Sequence, residues 1–510
     1  MNCCVERLIK ICILILVSAA FSLSFAVAEE LVEDSVDEDF LFFEESVEET
    51  EEVKEETFWD KLSINGYLKN ETAYRFREPR SITKIRNIFY LNAEYPFGLN
   101  AKFNFSGWAY YDLVYDLFDY STISARLERN RNDPLTFIDN LREEEDNRVA
   151  EIREFYFDFY MGDLDVRIGK QYVVWGVLEG IRITDEINPQ DFRELIMPEL
   201  LDYRVPLWTL KLDYYWGDSA IQFLWIPDVQ FHKHAPRGSE WELTQDACKP
   251  DRDGLSQCDP AKTLVPETFV LENSEVGLRW TTNLFDTEIS FSYFYTWDDF
   301  QVLFRTAPLN KVINPEAFPT YTRIHMYGTT FVKQLGPVIL KGEAAYVTGK
   351  YFGISDVDED EDGILDNLGE LKKDHLRWGI GVDLNVNGWD VSPAFVQWVI
   401  FDYEEGIIVD EFDDSVNLFL RREFPQKSTT FQLLYIHLLN LKEAFLQPKL
   451  IFQLTDRFTI TTGFDMFFGD SSRFGASSGG ANVTTIEERA RFIGNFDDND
   501  RVFVEFKYSF

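Results

Sequence analysis

After residue 28 the sequence contains no run of about 18 consecutive apolar residues, the length that a membrane-spanning helix requires. It also lacks a C-x-x-C-H haem motif, a glycine-rich phosphate-binding loop and a basic patch, and its formal net charge is −40. These absences exclude a helical membrane protein and c-type haem attachment. They also predict that nucleic acid is not a partner.

Aromatic residues are abundant in spite of this charge. The chain has 46 Phe, 23 Tyr and 12 Trp, which together make up 16% of its residues. Many aromatics without membrane helices favour an all-β protein, either soluble or embedded in a membrane. The spacing of the strands must decide between the two.

The N-terminus predicts export from the cytoplasm. Arg7 and Lys10 precede an apolar run at 11–25, and Ala26-Val27-Ala28 follows it, so residues 1–28 are predicted to be a signal peptide. Residues 29–58 come next; within 29–56 there are fifteen acidic residues and one basic residue. Such a segment repels itself and buries little, which predicts a disordered periplasmic segment.

Cysteine is rare after the signal peptide. Cys248 and Cys258 both lie in the polar stretch CKPDRDGLSQC. In an oxidising compartment this spacing favours one disulfide that closes a short surface loop, with two free thiols as the alternative.

From Trp59 onward the sequence alternates between apolar and polar residues with period two, as in AKFNFSGWAY at 101–110. This pattern recurs about eighteen times, with sixteen strands as the alternative count. Short turns alternate with long charged connections along the chain. Residues 59–510 are therefore predicted to form an all-β, transmembrane, antiparallel up-and-down barrel with short periplasmic turns and long extracellular loops.

The polar face of these strands carries charges of both signs, for example Glu154, Asp158, Arg167 and Lys211. A protein core would incur several kcal/mol of desolvation for each such charge, whereas a water-filled lumen would not. The prediction is an aqueous lumen and a lipid-facing exterior, in the outer membrane of a Gram-negative bacterium.

The chain ends on RVFVEFKYSF, an alternating stretch closed by a terminal Phe. This end resembles the insertion signal of bacterial outer-membrane proteins. The resemblance implies that Phe506, Tyr508 and Phe510 are read by the outer-membrane assembly machinery.

One internal stretch resembles a known family. It contains Gly169-Lys170-Gln171-Tyr172-Val173-Val174-Trp175-Gly176, then Asn188-Pro189-Gln190-Asp191, then Arg204-Val205-Pro206. This looks like the motif of the domain-of-unknown-function-1302 family of proteobacterial outer-membrane porin-like proteins, which is distantly similar to alginate-export-type barrels. The resemblance is strongest over residues 60–230, and Lys170 stands where Arg is common.

The connection at 176–205 is long enough to fold inward and narrow the lumen. In that interpretation the solute-contacting residues come from this loop and from the adjacent strands. Asn188-Pro189 and Asp191 also suit a purely structural turn, in which Arg204 satisfies loop carbonyls. The candidate constriction residues are Glu154, Asp158, Arg167, Gln171, Trp175, Asn188, Asp191, Arg193, Arg204 and Lys211.

An acidic stretch at 356–370 is a candidate calcium loop. Asp358, Asp360, Asp362 and Asp366 follow a D-x-D-x-D-G-x-x-D pattern, in which carboxylates at alternate positions can converge on one cation. It is not an EF-hand, because the twelfth position is Gly369. The alternative is a solvated acidic loop tip.

Together these features predict an outer-membrane porin-like channel for the passive diffusion or facilitated transport of an unidentified small solute. No enzyme activity and no required cofactor are expected. The alternatives are an outer-membrane hydrolase and a structural or adhesive surface barrel with a calcium-stiffened loop. The acidic loops are expected to repel anions or concentrate cations at the channel mouth.

Overall fold

The computed structural model describes residues 57–118, 123, 148–199, 202–233, 235, 240–241, 265–305, 317–354, 370–469 and 493–510. The chain divides into two units, Met1–Ser63 and Ile64–Phe510. In the first unit, the described residues include one helical turn, Phe58–Lys61. The predicted signal peptide and residues 29–56 of the predicted acidic segment lie outside the described residues.

The described residues form twenty strands. In chain order these are β1 (Ser63–Arg75), β2 (Ser81–Pro96), β3 (Ala101–Asp112), β4 (Arg148–Met161), β5 (Leu164–Gln171), β6 (Leu207–Trp216), β7 (Ser219–Ile226), β8 (Glu275–Asn283), β9 (Thr287–Trp297), β10 (Val302–Arg305), β11 (Ala317–Thr320), β12 (Arg323–Leu335), β13 (Val338–Gly353), β14 (Glu370–Val386), β15 (Trp389–Ile400), β16 (Phe412–Phe424), β17 (Thr429–Leu438), β18 (Glu443–Gln453), β19 (Phe458–Phe468) and β20 (Arg501–Ser509).

Short helical segments lie between some of the strands. They are a helical turn at Val114–Leu117 and 3₁₀ segments at Phe192–Glu194, Leu271–Asn273, Pro425–Lys427 and Ile493–Asn499. None of the helices in the described part of the chain has the length and hydropathy needed to span a bilayer.

Eighteen of the strands form one closed antiparallel sheet. Each pairs with its neighbour along the chain, β9 pairs with β12, and β20 pairs with β1. The predicted all-β barrel and its count of eighteen strands are therefore confirmed. β10 and β11 form a separate hairpin within the connection 298–322, which the sequence did not predict because four residues are too few to establish a period of two.

The barrel closes where the two ends of the chain meet. The register between β1 and β20 runs from Tyr67 opposite Ser509 to Arg75 opposite Arg501. Beyond it, Phe510 and Gly66 exchange two backbone hydrogen bonds of 3.0 Å. A Cβ on Gly66 would lie 2.3 Å from the carbonyl oxygen of Tyr90, so only glycine fits at this point of the seam.

The connections differ between the two ends of the barrel. One end has only short turns, at 97–100, 162–163, 217–218, 284–286, 336–337, 387–388, 425–428 and 454–457. The other end carries the long connections, at 113–147, 172–206, 227–274, 298–322, 354–369, 401–411 and 469–500, together with two short ones at 76–80 and 439–442. This asymmetry is typical of an outer-membrane barrel.

The two faces of the sheet differ in polarity as well. Leu68, Phe89 and Ile380 are exposed on the outer face. The alternate positions carry charged side chains that pair inside the barrel, such as Lys69 with Glu71 at 2.7 Å. An apolar exterior around a charged interior is the polarity that a barrel surrounded by lipid requires.

Candidate functional site

The connection 172–206, called the inner loop below, lies inside the barrel. It contacts inward-facing side chains of β2, β4, β13, β14, β16 and β18, which are strands on different sides of the lumen. A loop anchored to so many walls cannot be a freely extended surface loop.

Glu343 on β13 is the anchor on one side. Its carboxylate, 5% exposed, accepts hydrogen bonds from the backbone N–H groups of Val177, Leu178 (2.5 Å) and Thr184 (3.1 Å). The Thr184 hydroxyl donates a further bond of 2.7 Å. One carboxylate therefore folds the segment 177–184 into a turn and attaches it to the wall, using charge-assisted hydrogen bonds in a site with little water.

Glu194 makes the corresponding contact with the opposite wall. Its carboxylate pairs with Arg86 and lies 2.7 Å from the Lys84 ammonium, both on β2. Burial opposes ionisation of Glu194, but Arg86 and Lys84 outweigh it and lower its pKa to about 2. These ion pairs therefore stabilise the loop above the ordinary carboxyl pKa of about 4.3, and the contribution is lost as the pH falls toward 2.

An apolar cluster holds the inner loop against the wall formed by β7, β9, β12, β13 and β15. Trp175 and Ile183 of the loop are buried against Phe294 and Met326 of the wall. The Trp175 and Phe294 rings meet edge to face with centroids 5.9 Å apart. This side of the lumen is packed like a protein core.

A β-bulge supports the far end of the inner loop. The pairing of β3 with β4 shifts between Ser106, opposite Glu154, and Gly107, opposite Ile152, so Arg153 is the extra residue of the bulge. Its guanidinium donates to the carbonyl oxygens of Asp202 at 3.0 Å and Arg204 at 2.7 Å. The bulge thus aims a cation at the returning chain instead of continuing the ladder.

Several predicted constriction residues have structural contacts. The Asn188 carboxamide accepts from the Val173 N–H at 2.8 Å and donates to the Val205 carbonyl at 2.9 Å, so it joins the two ends of the loop. Arg204 pairs with the Asp185 carboxylate and is 2% exposed.

Trp175 and Gln171 are similarly enclosed. The Trp175 indole donates to Gln222 at 2.7 Å, and its backbone N–H donates to Asp185 at 3.2 Å. The Gln171 side chain is fully buried and donates to the Thr209 carbonyl at 3.0 Å. The geometry therefore favours a structural role, and not contact with a solute, for Trp175, Gln171, Asn188 and Arg204.

Asp191 and Arg193 occupy a different position, on the open side of the loop. Asp191 caps the 3₁₀ turn Phe192–Glu194 by accepting from the Arg193 N–H at 3.2 Å, as its place after Asn-Pro-Gln suggests. The Arg193 guanidinium binds the same carboxylate, with Nη2 at 2.5 Å. Both residues line a cavity.

The remaining predicted residues lie on the wall formed by β4, β5 and β6. Arg167 binds Asp158 with two bonds of 2.6 and 3.0 Å, and Lys211 lies 3.1 Å from Asp213. Glu154 lies on β4, opposite Ser106 and next to the bulge. The structure therefore places these side chains along the wall and does not gather them with Asp191 and Arg193.

The cavity of about 130 Å³ separates the inner loop from the wall formed by β1, β2, β3, β18, β19 and β20. Its lining combines acids and bases with the aromatic side chains of Trp108, Tyr110 and Trp241. The rings are partly covered by cations of the chain itself, since the Arg86 guanidinium lies 4.3 Å from the Tyr110 ring centre. The lumen is thus packed on one side of the inner loop and polar on the other.

One family model matches the part of the chain that contains the inner loop. Residues 81–220 match the model described as "Protein of unknown function (DUF1302)". The resemblance to DUF1302 is confirmed. The matched stretch contains the whole inner loop and its β2 and β4 contacts, whereas the anchor Glu343 lies outside it.

Several solved structures have low similarity to the chain, and one of them is named a porin. OccAB2 of Acinetobacter baumannii shares 11% identity, with 89% of this chain and 99% of that chain covered and a TM-score of 0.47. A BenF-like porin from Pseudomonas fluorescens Pf-5 shares 10% identity over 89% and 99%, with a TM-score of 0.47. OccK8 (OprE) of Pseudomonas aeruginosa shares 10% identity over the same fractions, with a TM-score of 0.46. No curated protein matches the chain.

Several residues that hold the inner loop or line the cavity were not among the sequence candidates. Glu343 is a lone acid between Gly342 and Ala344 in an alternating strand, which is a signal for the lumen but not for a loop anchor. Glu71 and Glu194 likewise looked like ordinary charges, because their partners come from other strands and loops.

Two predicted features lie outside the described residues. They are the disulfide between Cys248 and Cys258 and the calcium loop with Asp358, Asp360, Asp362 and Asp366. Among the residues that the structure describes, no group of three or more His, Cys, Asp or Glu side chains could hold a metal ion.

Replacing Glu343 with Gln is expected to loosen the inner loop. A carboxamide retains one oxygen acceptor, but its NH₂ group would face the Thr184 N–H, and a buried N–H without an acceptor costs about 1–3 kcal/mol. The channel should then fluctuate between conductance levels more often than wild type, by at least about twofold. Single-channel recordings measure this effect.

Asp383→Asn is the matched control for this variant. Asp383 is also an inward-facing carboxylate and pairs with Lys341 on β13. Equal fluctuation in both variants would show that loss of wall charge, and not release of the loop, is the cause.

Proposed function

We propose that the protein is a porin-like channel of the Gram-negative outer membrane through which a small polar solute diffuses passively. The observation that carries this proposal is the inner loop inside a closed eighteen-stranded barrel, which leaves a charged cavity of about 130 Å³ against one wall. A barrel of this size has room for an aqueous path beside a loop.

The inner loop acts as the constriction in this proposal. Its wall anchors fix the width of the path, and its Asp191–Glu194 turn places charges of both signs beside the solute. Selectivity then depends on the width and on the charges around the path, without a covalent or energy-coupled step. No cofactor is required.

The proposal also includes residues outside the described ranges and the partners that the chain meets during export and assembly. A signal peptide at 1–28 directs export, and Cys248 and Cys258 form one disulfide. The loop 356–370 binds calcium weakly. The assembly machinery recognises the C-terminal strand with Phe506, Tyr508 and Phe510.

Conductance in planar lipid bilayers tests the channel function. The folded protein is expected to give discrete, ohmic current steps and to let small sugars enter liposomes. Heat-denatured protein in the same detergent is the control. Folded protein that gives neither current nor solute flux would overturn the proposal and would leave a hydrolase or an adhesive barrel to be tested.

A further inference from the structure

The seam of the barrel contains like charges in direct opposition. In the pairing of β1 with β20, Glu71 lies opposite Glu505, and two residues away Lys69 lies opposite Lys507. Like charges at opposite positions of neighbouring strands destabilise a sheet. The arrangement therefore needs either counterions within the protein or a role that outweighs its cost.

The lysines compensate only one of the two glutamates. Glu71 lies 2.7 Å from the Lys69 ammonium and 2.5 Å from the Lys84 ammonium. Glu505 forms no ion pair within 4.0 Å with any cation of the described chain, yet it lines the cavity. The seam thus presents to the cavity one carboxylate without an ion pair, whereas Lys507 lies over the Tyr67 ring, 4.4 Å from its centre, and is not among the residues that line the cavity.

The rest of the cavity adds to this excess of negative charge. Among the residues that the structure describes, nine carboxylate side chains line it, against six cationic ones. Glu199 projects from the inner loop into the same cavity and is exposed. Burial raises the pKa of Glu240 to about 7 although Arg75 and Arg501 oppose it, and burial also raises the pKa of Asp202. Without these two side chains, seven acidic side chains of the described residues still line the cavity, against six basic ones.

Most of the lining cations are already engaged. Arg86 and Lys84 bind Glu194, Arg193 binds Asp191, and Arg501 lies 2.7 Å from Asp465. Lys449 has no carboxylate within 4.0 Å among the described residues and lies 5.9 Å from the centre of the Phe503 ring. Among the described lining residues, a permeating anion would find one cation without an ion pair, Lys449, whereas a permeating cation would find the carboxylates of Glu505 and Glu199, which also lack one.

We propose that the cavity makes the channel cation-selective, with Glu505 as the main determinant of this selectivity. The favoured solutes are alkali cations and small molecules that carry an ammonium group. This inference rests on the proposed channel function. It depends on the constriction itself and not on the acidic external loops, so it predicts that single substitutions inside the lumen change the selectivity.

Reversal potentials across a KCl gradient test the inference. Wild-type protein is expected to pass K⁺ in preference to Cl⁻. Glu505→Gln should lower the ratio of the two permeabilities about two- to threefold, and Lys449→Gln should raise it by a similar factor. Both shifts should diminish at 1 M salt, where the Debye length is about 3 Å.

Asp286→Asn is the control for lost charge. Asp286 lies in the short turn 284–286, has a positive φ of 56° that Asn tolerates, and does not line the cavity. A ratio near one or an anion preference in wild type would overturn the inference, as would an unchanged ratio in folded Glu505→Gln. These results differ from the absence of any conductance, which would overturn the channel function as well.

Discussion

Deleting residues 178–203 and joining residues 177 and 204 by a short Gly-Ser linker is expected to raise the single-channel conductance severalfold, because a barrel of eighteen strands encloses a lumen wide enough for water once its contents are removed. The deletion removes the apolar packing of Ile183 and the ion pairs of Glu194. The eighteen-stranded sheet itself loses no pairing.

Folding of this variant must be checked before its current is interpreted. Heat-modifiable mobility in a gel reports a closed barrel, and only protein with that property should be recorded. Shortening the connection 469–500 by removal of residues 474–486 is the matched control, since that connection lies at the same end of the barrel. A folded deletion variant with wild-type conductance would show that the inner loop does not limit the path.

The barrel could be predicted from the sequence because its information is local. Alternation such as that in AKFNFSGWAY is fixed by the geometry of each strand, and every predicted strand is present. The bulge at Arg153 shows the limit of this signal. The alternation of apolar and polar residues continues on both sides of the one extra residue in the bulge. The sequence therefore predicts the strand, but it does not predict that the Arg153 side chain points toward the inner loop.

The inner loop could be predicted only in part. Asn188-Pro189 and Asp191 indicated a turn, and the structure contains one with Asp191 as its cap. The anchor of the loop, however, is separated from Thr184 by 159 positions along the chain. Such a contact depends on barrel closure, which brings together strands that are far apart in sequence.

Asn188 and Arg204 were candidates for solute contact, but the structure gives them contacts within the protein. Asn188 and Arg204 have the polar groups of a solute site, but both are buried within the loop. The sequence cannot distinguish a side chain that satisfies backbone groups from one that faces water. In this loop the backbone needs Asn188, because a chain that crosses the lumen leaves its N–H and C=O groups without strand partners. Arg204 instead pairs with the Asp185 carboxylate of the same loop.

The uncompensated charge at the seam was also hidden in the sequence. Glu71 and Glu505 come from opposite ends of the chain, and only the register between β1 and β20 sets them side by side. Lys69 on β1 and Lys84 on β2 both pair with Glu71. The selectivity of the lumen thus follows from three strands that meet only when the barrel closes.

Removing Phe510 is expected to reduce the yield of folded barrel about tenfold, because the seam loses two backbone hydrogen bonds worth about 1–3 kcal/mol together, as well as an apolar ring. The Phe510 ring is 45% exposed on the outer face and stacks on Phe89 at 6.3 Å. The folded fraction in outer membranes, measured by heat-modifiable mobility, reports this loss.

Two further variants separate the backbone from the side chain. Phe510→Ala keeps the hydrogen bonds with Gly66 and removes only the ring, whereas Phe510→Tyr keeps both and is the control. If the assembly machinery reads the ring, Phe510→Ala should assemble nearly as poorly as the truncated chain, and Phe510→Tyr should assemble normally. Because the ring points away from the lumen, molecules of any variant that do assemble should conduct like wild type. Normal assembly of the truncated chain would show that Phe510 is neither a seam contact of consequence nor part of an insertion signal.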